Sequence, residues 1–367
     1  MVKKDAITAK QAICIIILFV FGRSAILGGS TKVGQDTWIP LIASILLVMP
    51  ALLLYSRIIK LFPESDIFDI VITVFGNIAG RIFIVLFSAY AIHLSALVLR
   101  NYSGFVKITT MPETPELPLL LLMTILISYI VYCGTQTLGK WAAVILPVIL
   151  GIVLITVVLA VGQMKFSNIC PIMSHNLTSI ADTTLLLFSF PFAETVLFLT
   201  IASSVKKGES PYKIYTLGVL FGGLILLIIF FRNLFILGAP LIVKSYFPSY
   251  TAIRVIKLGD FLSRLEATMS VNFFLGGITK SSVCLLGAVK GVTRLFNIKN
   301  SRKVILPVSA VVLALSYFMF ENVMQMVNNI EFYKFYGLIP ELLLPLIIWI
   351  GAEVKSRKMK SREEAGE

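Results

Sequence analysis

FSFPFAETVLF, Phe188 to Phe198, lies within an apolar run from Thr183 to Ser204 that is long enough to cross a bilayer. The middle of that run holds Pro191 and, three residues on, Glu194. A proline removes one intrahelical hydrogen bond and clashes with the carbonyl four residues back, so the helix is expected to open just before it. A carboxylate at membrane depth is costly unless it meets a partner or water. Together they predict a broken helix facing a cavity, because irregular backbone is tolerated there and not against lipid.

The surrounding chain is that of a multi-spanning membrane protein. Of its 367 residues, 57% are hydrophobic and 14% charged, with mean hydropathy +0.93, which leaves too little polar surface for a soluble domain of this size. Apolar runs occur at about 11–33 (interrupted), 38–58, 81–101, 117–134, 141–162, 183–204, 214–238, 266–289, 303–320 and 336–352, giving ten expected spans. The first run follows Lys3, Lys4 and Lys10 like a signal peptide, but no small-residue cleavage site follows it, so it reads as span one. The net charge of +13 does not point to nucleic acid, because the basic residues gather in alternate loops. With the N-terminus cytoplasmic, twenty Lys and Arg fall inside and nine outside, which predicts cytoplasmic termini. The main exception is the loop Ala239 to Leu265, whose IRVIKLGDFLSRLE pattern predicts an amphipathic surface helix.

Ten spans divide into two sets of five, and an odd number per set inverts one half relative to the other. Repeat one is placed at about 8–162, repeat two at about 180–352, and a charged cytoplasmic tail at 353–367. Spans one and six then correspond. Span one contains GRSAILGGS, Gly22 to Ser30, so both corresponding spans carry helix-interrupting residues, as the binding-site spans of inverted-repeat transporters do.

A break near Gly22–Ser24 would expose backbone amides that favour a carboxylate. The first half of span six would end near Phe190 with free carbonyls that favour an ammonium group, beside Glu194. One amino acid satisfies both ends. The expected ligand-binding positions are Gly22, Arg23, Ser24, Ala25, Gly28, Tyr90, Phe190, Phe192, Ala193 and Glu194, with the phenylalanines as apolar walls and Ala25 and Ala193 setting the available size. The glycines could instead serve close helix packing, and Arg23 could pair with Glu194 as a structural gate. Lys280 in span eight reads either as an internal cation that couples to ion or proton movement or as a lysine snorkelling to the membrane surface. Arg232 with Asn233 reads as snorkelling, and His93 as a satisfied core histidine. The sequence holds no Walker-type loop, His/Cys cluster or nucleophile constellation, so neither catalysis nor a metal or cofactor is expected. Cys14, Cys133, Cys170 and Cys284 lack metal-type spacing.

Four segments resemble the B subunit of Ger-type spore germinant receptors: ITAKQ before span one, GQDTWIPL at the start of span two, PFAE within span six, and YFPSYTAIRVIKLGDFLSRLE before span eight. The resemblance covers nearly the whole chain and is most specific before span eight. It implies the amino acid–polyamine–organocation superfamily and a LeuT-type fold: an all-α membrane protein of ten transmembrane helices in a 5+5 inverted repeat, with spans one and six broken. It also implies a germinant-sensing subunit in the inner membrane of a bacterial endospore, acting beside A-type and C-type receptor subunits. The superfamily's ligand site maps onto Gly22–Gly28 and Phe190–Glu194. Arg23 departs from the small residues usual at that break, which fits a receptor better than a transporter. The alternatives are a proton- or cation-coupled amino acid transporter, and a channel or scaffold gated by an Arg23–Glu194 pair.

Overall fold

The computed structural model describes residues 6–27, 32–256 and 266–364. Helix α1 (Ala9–Leu27) opens on a reciprocal cap supplied by the ITAKQ segment. The Gln11 N–H donates to the Thr8 hydroxyl at 3.3 Å, and the Thr8 N–H donates to the Gln11 side-chain carbonyl at 2.9 Å. Ile7, just ahead, is tied to the far end of span six: its N–H donates to the Ser204 carbonyl at 2.8 Å and its carbonyl accepts from Lys206 at 3.0 Å.

The chain continues through α2 (Trp38–Leu61), α3 (Ile67–Thr109), α4 (Glu116–Cys133) and α5 (Thr135–Ala160). Span six begins as α6 (Leu177–Leu187), passes through a π turn at Phe188–Phe192 and ends as a 3-10 segment, Ala193–Thr200. Next come α7 (Pro211–Lys244), α8 (Pro248–Val255), α9 (Glu266–Leu295) and α10 (Arg302–Phe318). Span ten is composite: α11 (Val323–Tyr336), a π turn at Ile339–Leu343, and α12 (Leu344–Glu364). Glycines at positive φ bend two long helices, Gly76 in α3 (φ 77°) and Gly238 in α7 (φ 71°).

Eight of the described stretches are long and apolar enough to cross a bilayer. The other two expected spans are shorter: the apolar part of α1 is Ala9–Gly22, and α10 has 17 residues. Apolar side chains such as Leu46, Ile78, Leu122 and Leu306 point outward, as lipid contact demands. Helices α1, α2 and α7 pack together with span six, while α3, α4, α9 and α10 form a second group joined to the first through α1 and α9. Expected spans one, two, six and seven therefore build one group, and spans three, four, eight and nine build the other.

The GQDTWIPL segment has a structural task at the start of span two. Asp36 is fully buried and its carboxylate accepts the backbone N–H groups of Met173, Ser174 and His175 at 2.8, 2.9 and 3.3 Å, with His175 Nδ1 at 2.8 Å. Gln35 donates to the Pro171 carbonyl and the Ser174 hydroxyl at 3.1 and 2.7 Å. These bonds fasten the connection that leads into span six.

Two expectations are revised, and a third falls mostly outside the described residues. The interruption placed at Gly22–Ser24 is absent from the described backbone, where α1 stays helical to Leu27. Gly22 serves close packing instead: a Cβ there would lie 2.9 Å from the Gly276 carbonyl oxygen of α9. Arg232 does not snorkel. It is buried, donating to Asn233 Oδ1 at 2.8 Å and to the Thr156 hydroxyl at 2.9 Å, because Asn233 and Thr156 offer acceptors inside the bundle. The segment before span eight forms the short helix α8, whose Pro248, Ser249, Ala252 and Ile253 are buried, while residues 257–265 lie outside the described residues.

Candidate functional site

Span six breaks where Pro191 requires it. Phe190 has extended backbone angles (φ −115°, ψ 113°), the turn around it is wider than an α-helix, and the segment after it is tighter. Phe190, Phe192, Ala193 and Glu194 are all buried. The side chains of Arg23, Ser24 and Ala25, and Gly28 as a whole, lie outside the described residues.

The partner of Glu194 is Lys280. Both side chains are fully buried, and the Lys280 ammonium donates to Glu194 Oε2. The ammonium also sits 4.7 Å from the ring centroid of Phe19 on α1 and 5.4 Å from that of Phe190. Spans one, six and eight thus converge on one cation. Lys280 does not snorkel, because a counter-charge and two ring faces lie within reach at depth. Gly22 makes the convergence possible, since a Cβ there would approach Lys280 Cβ to 3.2 Å.

This pair leaves hydrogen-bonding capacity unused. Among the described residues, Glu194 Oε1 and the hydroxyls of Ser281 and Ser282, which follow Lys280 in α9, are buried without a hydrogen-bond partner. Buried polar groups in such a state favour a ligand that can satisfy them.

A second carboxylate lies on the other side of the break. Glu341 in the π turn of span ten is fully buried. The hydroxyls of Tyr90 and Tyr333 lie 2.8 Å each from its Oε1, and that of Ser189 lies 2.5 Å from its Oε2. Tyr55 donates to the Glu341 backbone carbonyl and lies 3.4 Å from that of Ala193, so spans two, six and ten are joined there. Tyr90 is thereby placed against Glu341, which Ser189 joins to the break. Glu341, Tyr333, Ser189 and Tyr55 were not anticipated, although Pro340–Glu341 repeats within an apolar run the proline-plus-carboxylate signal of span six. His93 lies outside the cluster, half-buried, with Nε2 2.9 Å from the Tyr336 hydroxyl.

Where α1 ends and α6 begins, charges tie spans one, six and ten together. Lys32, beyond α1, lies 2.7 Å from Glu331 of α11 and 3.7 Å from Asp182 of α6, and Lys334 also contacts Asp182.

A sequence model of the spore germination protein family matches residues 6–348. Spore germination protein KB of Bacillus subtilis (strain 168) is 25% identical over 99% of both chains. The putative spore germination protein YfkT of the same organism is 24% identical over 86% of this chain and 87% of its own. Among solved structures, a nucleobase-cation-symport-1 family transporter in a closed conformation with bromovinylhydantoin bound aligns with TM-score 0.72 at 13% identity, covering 94% of this chain and 78% of that one. MhsT in complex with L-phenylalanine aligns with TM-score 0.66 at 13% identity, covering 95% and 91%. These likenesses give the fold, that of LeuT-type transporters, and the match along nearly the whole sequence gives the family: the chain is a multi-pass membrane protein that belongs to the spore germination protein family.

Proposed function

We propose that the chain is the germinant-sensing subunit of a spore nutrient receptor, and that an amino acid or similar small zwitterion binds where α1 and α9 face the break in span six. The observation that carries this reading is the buried Lys280–Glu194 pair, whose second carboxylate oxygen meets no partner among the described residues. The pair presents one charge of each sign, head to tail with a zwitterion: the ligand's carboxylate competes for Lys280 and its ammonium for Glu194. The carboxylate partner assigned to span-one amides thereby passes to Lys280, because α1 is helical through Gly22–Ser24. Binding shifts a two-state equilibrium by the difference in affinity for the two states. The shift is read by A-type and C-type subunits in the inner membrane of the endospore, with both termini of this chain cytoplasmic; the excess of basic residues on that side supports the orientation.

The test is a germination dose–response with spores carrying Lys280→Met, with the amount of chain in the membrane measured in parallel. A rise of about tenfold or more in the half-maximal germinant concentration, equivalent to about 1.4 kcal/mol, is expected. A wild-type response would remove Lys280 from the site.

A second reading, a proton- or cation-coupled amino acid transporter, draws on the position of Lys280, a fixed cation held between spans one, six and eight. Sustained counterflow of a labelled amino acid by the chain in proteoliposomes selects the transporter; binding without counterflow selects the receptor.

A further inference from the structure

Glu341 has a hydrogen-bond geometry that counts its protons. Its Oε1 lies 2.8 Å from the Tyr90 hydroxyl and 2.8 Å from the Tyr333 hydroxyl, and those two hydroxyls lie 2.8 Å from each other. Three oxygens at mutual distances of 2.8 Å form a closed triangle in which each edge has the length of an O–H···O hydrogen bond. Each phenol brings one proton. If both protons go to an ionised carboxylate, the Tyr90–Tyr333 edge has none, and two phenolic lone pairs face each other. A third proton closes the triangle, and Glu341 Oε1 is the remaining corner that can carry it. The ring then runs one way: Tyr90 donates to Tyr333, Tyr333 to Glu341 Oε1, and the Glu341 O–H to Tyr90. Oε2 stays available to accept from Ser189 at 2.5 Å.

We propose that Glu341 is a proton-binding site, occupied as a neutral carboxylic acid in this conformation. The charged groups around it agree. The Lys280 ammonium is engaged by Glu194, and that of Lys334 by Asp182. Among the described residues, His93 is bonded to Tyr336, and the remaining titratable neighbours, Tyr55, Tyr90 and Tyr333, are phenols. An ionised Glu341 would be a second buried carboxylate sharing the region of the break with Glu194 and, among the described side chains, a single ammonium, an arrangement that a low-dielectric interior disfavours.

The proton has a structural consequence. It completes the bonds that hold the π turn of span ten to Tyr90 of span three, while Ser189 holds it to the break in span six. Losing it removes one edge of the triangle and places an uncompensated charge beside the break. Span ten is thereby a proton-linked latch on span six, and this holds whether or not an amino acid binds at Glu194 and Lys280.

Infrared spectroscopy of the full-length chain in lipid at neutral pH tests the assignment. The expected result is a carboxylic acid C=O band that shifts in D2O, is lost in Glu341→Gln, moves in Glu341→Asp and persists in Lys280→Met. If Glu341→Gln does not fold, Tyr333→Phe provides the measurement: it removes one donor from the triangle and is expected to move the acid band. The proposal is overturned if the wild-type minus Glu341→Gln difference shows only lost carboxylate bands, or if Tyr333→Phe leaves every acid band in place.

Discussion

Lys280 of α9 and Glu194 of the broken span six neutralise each other in full burial, with the rings of Phe19 and Phe190 against the ammonium. Removing one member of such a pair leaves a buried charge with no counter-ion, which costs about 3–5 kcal/mol. Glu194→Gln and Lys280→Met are each expected to lower stability by about that amount, and the double variant to recover more than half of the summed loss. Thermal unfolding in detergent measures all three; strictly additive losses would mean that the two side chains act independently.

The approach of α1 to α9 rests on two facing glycines. A Cβ at Gly276 would lie 2.8 Å from Phe21 Cδ1 and 3.0 Å from Gly22 Cα, whereas one at Gly277 would meet only Val98 Cγ1, at 3.8 Å. Gly276→Ala is therefore expected to cost about 1–3 kcal/mol as overpacking and to disturb ligand response through Lys280, while Gly277→Ala leaves both nearly unchanged. The paired melting curves check this, and equal effects at the two positions would contradict the packing account.

Asp36 fastens the connection into span six through three backbone N–H groups. Asp36→Ala leaves those donors without their acceptor, at a cost of about 1–3 kcal/mol for each one that stays buried. Limited proteolysis is expected to show faster cleavage around Met173–His175 in the variant. An unchanged cleavage rate would show that the connection is held by other contacts.

The sequence revealed the break because it concentrates two costly features, Pro191 and Glu194, within four residues of an apolar run. It did not reveal the partner of Glu194, since Lys280 lies 86 positions away and only the rotation of α9 decides where its ammonium points. Gly22 of span one was ambiguous for a related reason: packing and breaking use the same residue, and what separates them is Gly276 on another helix. Arg232 was misplaced because hydropathy registers depth and not the presence of Asn233 and Thr156 as acceptors. Glu341 was legible beside Pro340, but its meaning depends on Tyr90, Tyr333 and Ser189, contributed by other parts of the chain.

The most direct test of the zwitterion site is equilibrium binding of an amino acid panel to the purified wild-type chain, with the amine and carboxylic acid analogues of whichever amino acid binds. The account predicts that removing either charged group from the ligand weakens binding by about 30-fold or more, because a buried charge pair is worth about 2 kcal/mol or more. Analogues lacking one charge that bind as tightly as the parent amino acid would contradict the role given to Lys280 and Glu194.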